Sequence, residues 1–323
     1  MSHEIRTVRH GAVYHITNRA YRGELRLTPE DAVNRFAEGC LAKAARRYGV
    51  RIIAFIVMGN HFHLIVEVPF CNLHAFMCHF QRELSHRLNL YRGETGTNFP
   101  LRYRDEEIAS VEDFEREIAR MLCNPVRARL VAELSKWPGA SSLEMHRAGQ
   151  ASRTVRHATR DQAEAMREKG LTPRLERSME ELELYLSRPP FWEEMEDGQV
   201  QARIAGLVDA QEARLQDEIE QRNERVVGPS RISREHHEQR PDDVYWRAYR
   251  RIISKDTSYE AKYHDWYRRH RRKYWRAARA WRHCGEWGEY PPGTFPPGWS
   301  RCLPPSGRAG PPLPWREPSL AAA

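Results

Sequence analysis

The sequence predicts an α/β fold, an antiparallel sheet sandwiched by helices, followed by a mainly helical C-terminal extension and a disordered Pro-rich tail. Three observations predict it. Short β-rich runs alternate with helical patterns between residues 12 and 125, charged periodic segments take over past about residue 150, and Pro and Gly crowd the chain from Pro291 to Ala323.

Residues 12 to 19, Ala-Val-Tyr-His-Ile-Thr-Asn-Arg, alternate in polarity and are rich in β-branched and aromatic side chains, which predicts a strand. Thr28-Pro29-Glu30-Asp31 offers an N-cap, a proline for the first helical position and an early acid. Val33, Phe36, Cys40, Ala44 and Tyr48 follow at helical spacing, and Gly49 supplies a stop. Arg51 to Met58 and Leu64 to Val68 are apolar β-rich runs joined through Gly59-Asn60, a predicted hairpin. A helix over Leu73 to Leu90, a loop over Arg92 to Asn98 and a strand near Leu101 to Ile108 come next. Ser110 with Asp113 then opens a helix that runs into Asn124-Pro125. Later, Met179 to Leu186 and Gln199 to Asn223 read as charged helices, the second with an apolar packing stripe of Val200, Ile204, Leu207, Leu215 and Ile219. The expected organisation is a first domain over 1–150, a charged helical region over 151–240, a basic aromatic helical segment over 241–290 and the tail over 291–323.

No apolar run approaches the ~20 residues that span a membrane, and no apolar stretch follows the N-terminal charges, so a cytoplasmic protein without a membrane partner is expected. The six cysteines are scattered without a Cys-x-x-Cys pair, which points to reduced thiols. The net charge is +8. Between Pro241 and Cys284 thirteen Lys or Arg face five Asp or Glu, so this short segment carries the whole excess. There Tyr245-Trp246-Arg247 and Trp266-Tyr267-Arg268-Arg269-His270-Arg271-Arg272, continuing to Trp275, interleave aromatic and basic side chains. Such side chains can neutralise phosphates and stack on unpaired bases, with Trp266, Trp275, Arg268, Arg269, Arg271 and Arg272 as candidate contacts. Equally, the aromatic face can dock on the body while the arginines are solvated.

His61 and His63 sit two apart in a predicted strand, so both imidazoles share one face while Phe62 and Leu64 take the other. That spacing suits chelation of one ion, although His-x-His alone also occurs as surface or capping histidines. With one more polar ligand such a pair can hold a divalent ion against a phosphate oxygen.

Met58-Gly59-Asn60-His61-Phe62-His63-Leu64-Ile65-Val66-Glu67 resembles the HUH segment of the single-tyrosine transposases, in particular the REP-associated branch. Tyr14-His15-Ile16-Thr17-Asn18-Arg19 resembles that family's first strand, Ala45-Arg46-Arg47-Tyr48-Gly49-Val50 the end of its first helix, and Asn124-Pro125-Val126-Arg127-Ala128-Arg129-Leu130-Val131 its late helix segment. Trp137 and Ser141-Ser142 resemble the stretch that follows, so the resemblance covers roughly residues 8 to 145.

The resemblance implies a ferredoxin-like HUH domain that recognises hairpin or single-stranded DNA and uses Mg²⁺ or Mn²⁺ to cleave and rejoin it through a 5′-phosphotyrosine. It implies His61, His63 and Asn124 as the metal ligands. Four residues before Asn124 the family carries its nucleophilic tyrosine, and here that position is Arg120, a donor-only cation that cannot attack. Three readings of Arg120 stay open. The domain binds without cutting and Arg120 contacts the phosphate; or a tyrosine from elsewhere, such as Tyr91, Tyr103 or the 245–275 cluster, serves; or a metal-activated water hydrolyses the strand. Arg19, Arg102, Arg120 and Arg127 are the candidate DNA contacts of the first domain. An RNA-binding role is the lesser alternative, and monomer and homodimer are both open.

Overall fold

The computed structural model describes residues 5–158, 179–240, 250–285, 289–291 and 294. The expected disordered tail and the Tyr245 to Tyr249 cluster lie almost wholly outside the described residues.

The first 150 residues run β1 (Ala12–Arg19), α1 (Asp31–Tyr48), β2 (Arg51–Val57), β3 (His61–Val68), α2 (Leu73–Arg92), β4 (Arg104–Ile108), α3 (Val111–Leu122), then the short helices α4 (Asn124–Arg127) and α5 (Leu143–Arg147). This is the order read from the sequence. Several boundaries differ: β3 begins at His61 rather than Leu64, and α2 runs to Arg92 rather than Leu90. Helix α1 has Glu30 at its N-cap because the Thr28 hydroxyl turns back to donate to Leu25 O, and β4 starts at Arg104 rather than near Leu101. Gly49 ends α1 in the left-handed region, and the Ser110 side chain caps α3 by accepting from Asp113 N.

The later chain contributes β5 (Ser152–Ala158), β6 (Met179–Tyr185), α6 (Asp197–Gln221), α7 (Pro229–Ile232), β7 (Ile252–Ile253) and α8 (Thr257–Cys284). Strand β6 corrects the helix expected over Met179 to Leu186. Its glutamates argue for helix by propensity, but Leu182, Leu184 and Leu186 are buried while Glu181, Glu183 and Tyr185 are exposed, the period of a strand lying on a core. β5 and β6 pair as a separate two-stranded sheet packed on α1. Gly39 permits a tight approach, since a Cβ there would sit 2.5 Å from the Arg156 carbonyl oxygen.

The main sheet has the order β2-β3-β1-β4-β7, antiparallel except for the parallel β4–β7 pair. Alternation along its strands builds a core on each face. Tyr14, Ile16, Phe62, Leu64 and Val66 pack with Phe36 and Cys40 of α1 and Phe76, Phe80 and Leu84 of α2. On the opposite face Val13, Ile56 and Ile65 pack with Phe114, Ile118 and Met121 of α3 and Val200, Ile204 and Val208 of α6. A register shift between Ile52 and Ala54 puts the sequence neighbours Ile53 and Ala54 into this same second core. Helix α8 docks through Tyr263 and Tyr267 against Ile252, and Tyr267 Oη donates to Ile5 O at 3.0 Å. Among the described residues no helix is long and apolar enough to cross a membrane.

Candidate metal and nucleic-acid site

Register decides what stands beside the two histidines. In the β1–β3 ladder Arg19 pairs with His61 and Thr17 with His63, and in the β1–β4 ladder Thr17 pairs with Arg104 and His15 with Glu106. Because side chains of paired residues share a face, His61, His63, His15, Thr17, Arg19, Arg104 and Glu106 form one polar end of the face that is otherwise the second core. Helix α3 and the turn after it lie over this end and bring Glu117, Arg120 and Asn124 to it. The result is an open cleft of about 960 Å³.

Asn124 Nδ2 lies 3.3 Å from His61 Nε2 and 3.0 Å from His63 Nε2. The proton positions follow from the neighbours' donor and acceptor limits. Arg127 Nη2 can only donate, and it donates to Asn124 Oδ1 at 2.9 Å. The Asn124 NH₂ therefore faces the rings, and both Nε2 atoms must accept. On the other side of His61, Asn60 Nδ2 donates to Gly23 O at 3.1 Å, which turns Asn60 Oδ1 toward His61 Nδ1, 2.6 Å away. His61 thus carries its proton on Nδ1 and a lone pair on Nε2. Burial, with Arg19 and Arg127 close by, pushes the His61 pKa down to about 3. Burial, His61, His15, Arg127 and Arg120 hold His63 well below the usual histidine range. Both rings are neutral at pH 7, so no proton has to leave before they can coordinate.

This donor set fits a divalent cation: two bare imidazole nitrogens converge on a side-chain amide, and a rotation of Asn124 exchanges its NH₂ for Oδ1 at the cost of the Arg127 contact. A second group, Glu94, His237 and Glu238, also brings three donor atoms within 4.8 Å of one another. There Arg26 already pairs with Glu94 and His237 donates to it, so a cation would have to displace both.

Among the described residues, eight arginines line the cleft against three glutamates. Arg19, Arg102, Arg120 and Arg127, the candidate contacts of the first domain, all line it. Gly23, at φ 75°, lets Arg19 lie against it, since a Cβ there would meet the guanidinium at 2.9 Å. Arg104, Arg129, Arg231 and Arg240 join these four, with no local sequence signal that marks them. The last two arrive on the 224–240 segment, which is pinned along the cleft by Val227 N to Arg129 O, Gly228 N to Leu130 O and Leu25 N to Gln239 O. Arg120 is tied to Glu117, Arg129 to Glu224 and Arg231 to Glu235.

No tyrosine among the described residues lines the cleft. Tyr91 donates to Glu30 at 2.8 Å, and Tyr103 is buried beneath the Arg6 guanidinium, 3.5 Å from its ring centroid. Trp266, Trp275, Arg268, Arg269, Arg271 and Arg272 do not join the site. They lie on α8, where both tryptophans are half-buried, Arg9 stands over Trp266, and Arg268 and Arg269 pair with Asp265 while remaining exposed. The aromatic side thus docks while the basic side meets solvent.

No family model matches the chain, and no curated protein matches it. Among solved structures, a REP-associated tyrosine transposase bound to a REP hairpin is similar over 46% of this chain and 86% of its own, with 20% identity and a TM-score of 0.39. A Deinococcus radiodurans R1 protein described as a candidate transposase is similar over 38% of this chain and 97% of its own, with 18% identity and a TM-score of 0.27.

Proposed function

We propose that this chain is a transposase-like protein that binds hairpin or single-stranded DNA in the arginine-lined cleft, with Mg²⁺ or Mn²⁺ held by His61, His63 and Asn124. We further propose that it binds without forming a covalent phosphotyrosine. The observation that carries the reading is the convergence of two neutral, lone-pair-bearing imidazoles and an amide at the floor of a cleft lined by eight arginines. A divalent ion there supplies a Lewis acid for a phosphate oxygen. The arginines position the backbone, and their planar forks suit phosphate oxygens. Arg120, in the place where the resemblance puts a nucleophile, is a donor-only cation paired with Glu117 and cannot attack a phosphate. The solvated side of α8 adds sequence-independent attraction through Arg268, Arg269, Arg271 and Arg272.

The test incubates the protein with a single-stranded DNA hairpin and Mn²⁺, then resolves the products on native and denaturing gels. Binding on the native gel without a covalent adduct on the denaturing gel supports the reading. An adduct contradicts it, and free cleaved product assigns the work to water. RNA of the same sequence serves as competitor, and stronger competition than by DNA would move the partner class to RNA.

A further inference from the structure

His63 has a neighbour on the side away from Asn124. Its Nδ1 lies 3.0 Å from His15 Nε2, and the two rings are nearly parallel, with 14° between their planes. His15 Nδ1 in turn lies 3.1 Å from Glu117 Oε1, within ion-pair distance although the contact does not meet hydrogen-bond geometry. Glu117 accepts from Arg120 Nη1 at 3.0 Å. Four side chains therefore form one line of contacts from the surface of α3 to the floor of the cleft. His15 is 4% exposed and Glu117 3%, which shields the inner contacts from water and sharpens their demands.

A carboxylate only accepts, so a lone pair on His15 Nδ1 would face negative charge at 3.1 Å; the nitrogen there is held in its N–H form. His15 Nε2 is then the acceptor, and the proton between the two rings belongs to His63 Nδ1. That leaves His63 with its lone pair on Nε2, the atom that Asn124 requires as an acceptor from the opposite side. Contacts on opposite edges of the ring assign the same tautomer.

We propose that His15 and Glu117 are positioning residues that fix His63 as the Nδ1-protonated tautomer and aim its Nε2 lone pair into the cleft, with Arg120 as the counter-ion that keeps Glu117 in this role. The consequence for a metal rests on the reading of the cleft given above, whereas the tautomer itself does not. Position 120 is then committed to the support of His63: its guanidinium balances a buried carboxylate one helical turn before Asn124.

The test records two-bond ¹H–¹⁵N spectra of the full-length, metal-free protein at pH 7 and titrates Mn²⁺ by calorimetry. His63 is expected with a protonated Nδ1 and a bare Nε2. In His15→Phe the ring loses its acceptor, its tautomer shifts toward Nε2–H, and the Mn²⁺ Kd weakens about 10- to 100-fold, the usual cost of losing an outer-shell partner of a ligating histidine. Arg120→Gln, a change at a partly exposed side chain, shifts the tautomer in the same direction and covers the case in which His15→Phe does not fold. A wild-type His63 protonated at Nε2, or a tautomer unchanged in both variants, overturns the proposal. The expected tautomer and shifts in a protein that binds no Mn²⁺ would sink the metal reading and leave the positioning chain standing.

Discussion

Replacing Arg19 and Arg127 together by alanine tests whether the cleft holds a nucleic-acid backbone. Each arginine removed from a phosphate of a single strand makes the slope of log K against log salt shallower by about 0.7, so the double replacement flattens it by about 1.4. Between about 50 and 200 mM salt the double variant should therefore lose affinity about sevenfold less steeply than the wild type. Fluorescence anisotropy with a dye-labelled, single-stranded-tailed DNA hairpin reads the slope. Arg127 also donates to Asn124 Oδ1, so the series is run in EDTA as well as in Mn²⁺ to separate backbone contact from metal support. Parallel lines for variant and wild type would refute a strand in the cleft. A slope that falls only when Arg268, Arg269, Arg271 and Arg272 are replaced would move the nucleic acid to α8.

Arg120→Tyr restores a tyrosine at the family position but removes the guanidinium beside buried Glu117; a loss of about 1–3 kcal/mol in urea unfolding is expected, partly recovered in Glu117→Gln/Arg120→Tyr. Additive effects of the two changes would contradict the coupling. His146 is 1% exposed, and burial lowers its pKa to about 4. The unfolded chain therefore binds a proton that the folded chain refuses between about pH 6.5 and 4, and stability that is complete above that window is lost on acidification, by at most about 3 kcal/mol. His146→Gln should flatten the fall in urea midpoint between pH 7 and 5, and an unchanged fall would show that other groups carry it. Gly39→Ala forces a Cβ against the Arg156 carbonyl oxygen, which should cost about 1–3 kcal/mol and speed hydrogen exchange in β5 and β6 first. Exchange that stays uniform would mean the hairpin does not depend on that approach.

The first 150 residues were legible because their elements obey local rules: a period of two in β1 and β3, a cap at Ser110, a stop at Gly49. The same period placed His61 and His63 on one face. What it could not give was the register that sets Arg19 opposite His61 and brings His15 next to His63, since pairing is a relation between strands and not a property of either. Glu117 was visible three residues before Arg120, yet nothing local marks a glutamate as buried under a histidine. Arg231 and Arg240 join the cleft from more than a hundred residues away, carried by a segment whose backbone bonds leave no trace in composition. Strand β6 is not legible locally because glutamate favours helix, whereas Leu182 and Leu184 have a core to cover.

The central claim is that a divalent ion on His61, His63 and Asn124 holds DNA in this cleft. The most direct measurement is the affinity of a single-stranded DNA hairpin for wild type and for His61→Ala, each with Mn²⁺ and with EDTA. The account predicts that Mn²⁺ tightens binding to the wild type and leaves His61→Ala unchanged. Equal affinity in Mn²⁺ and EDTA for the wild type, or equal tightening in both proteins, would contradict it.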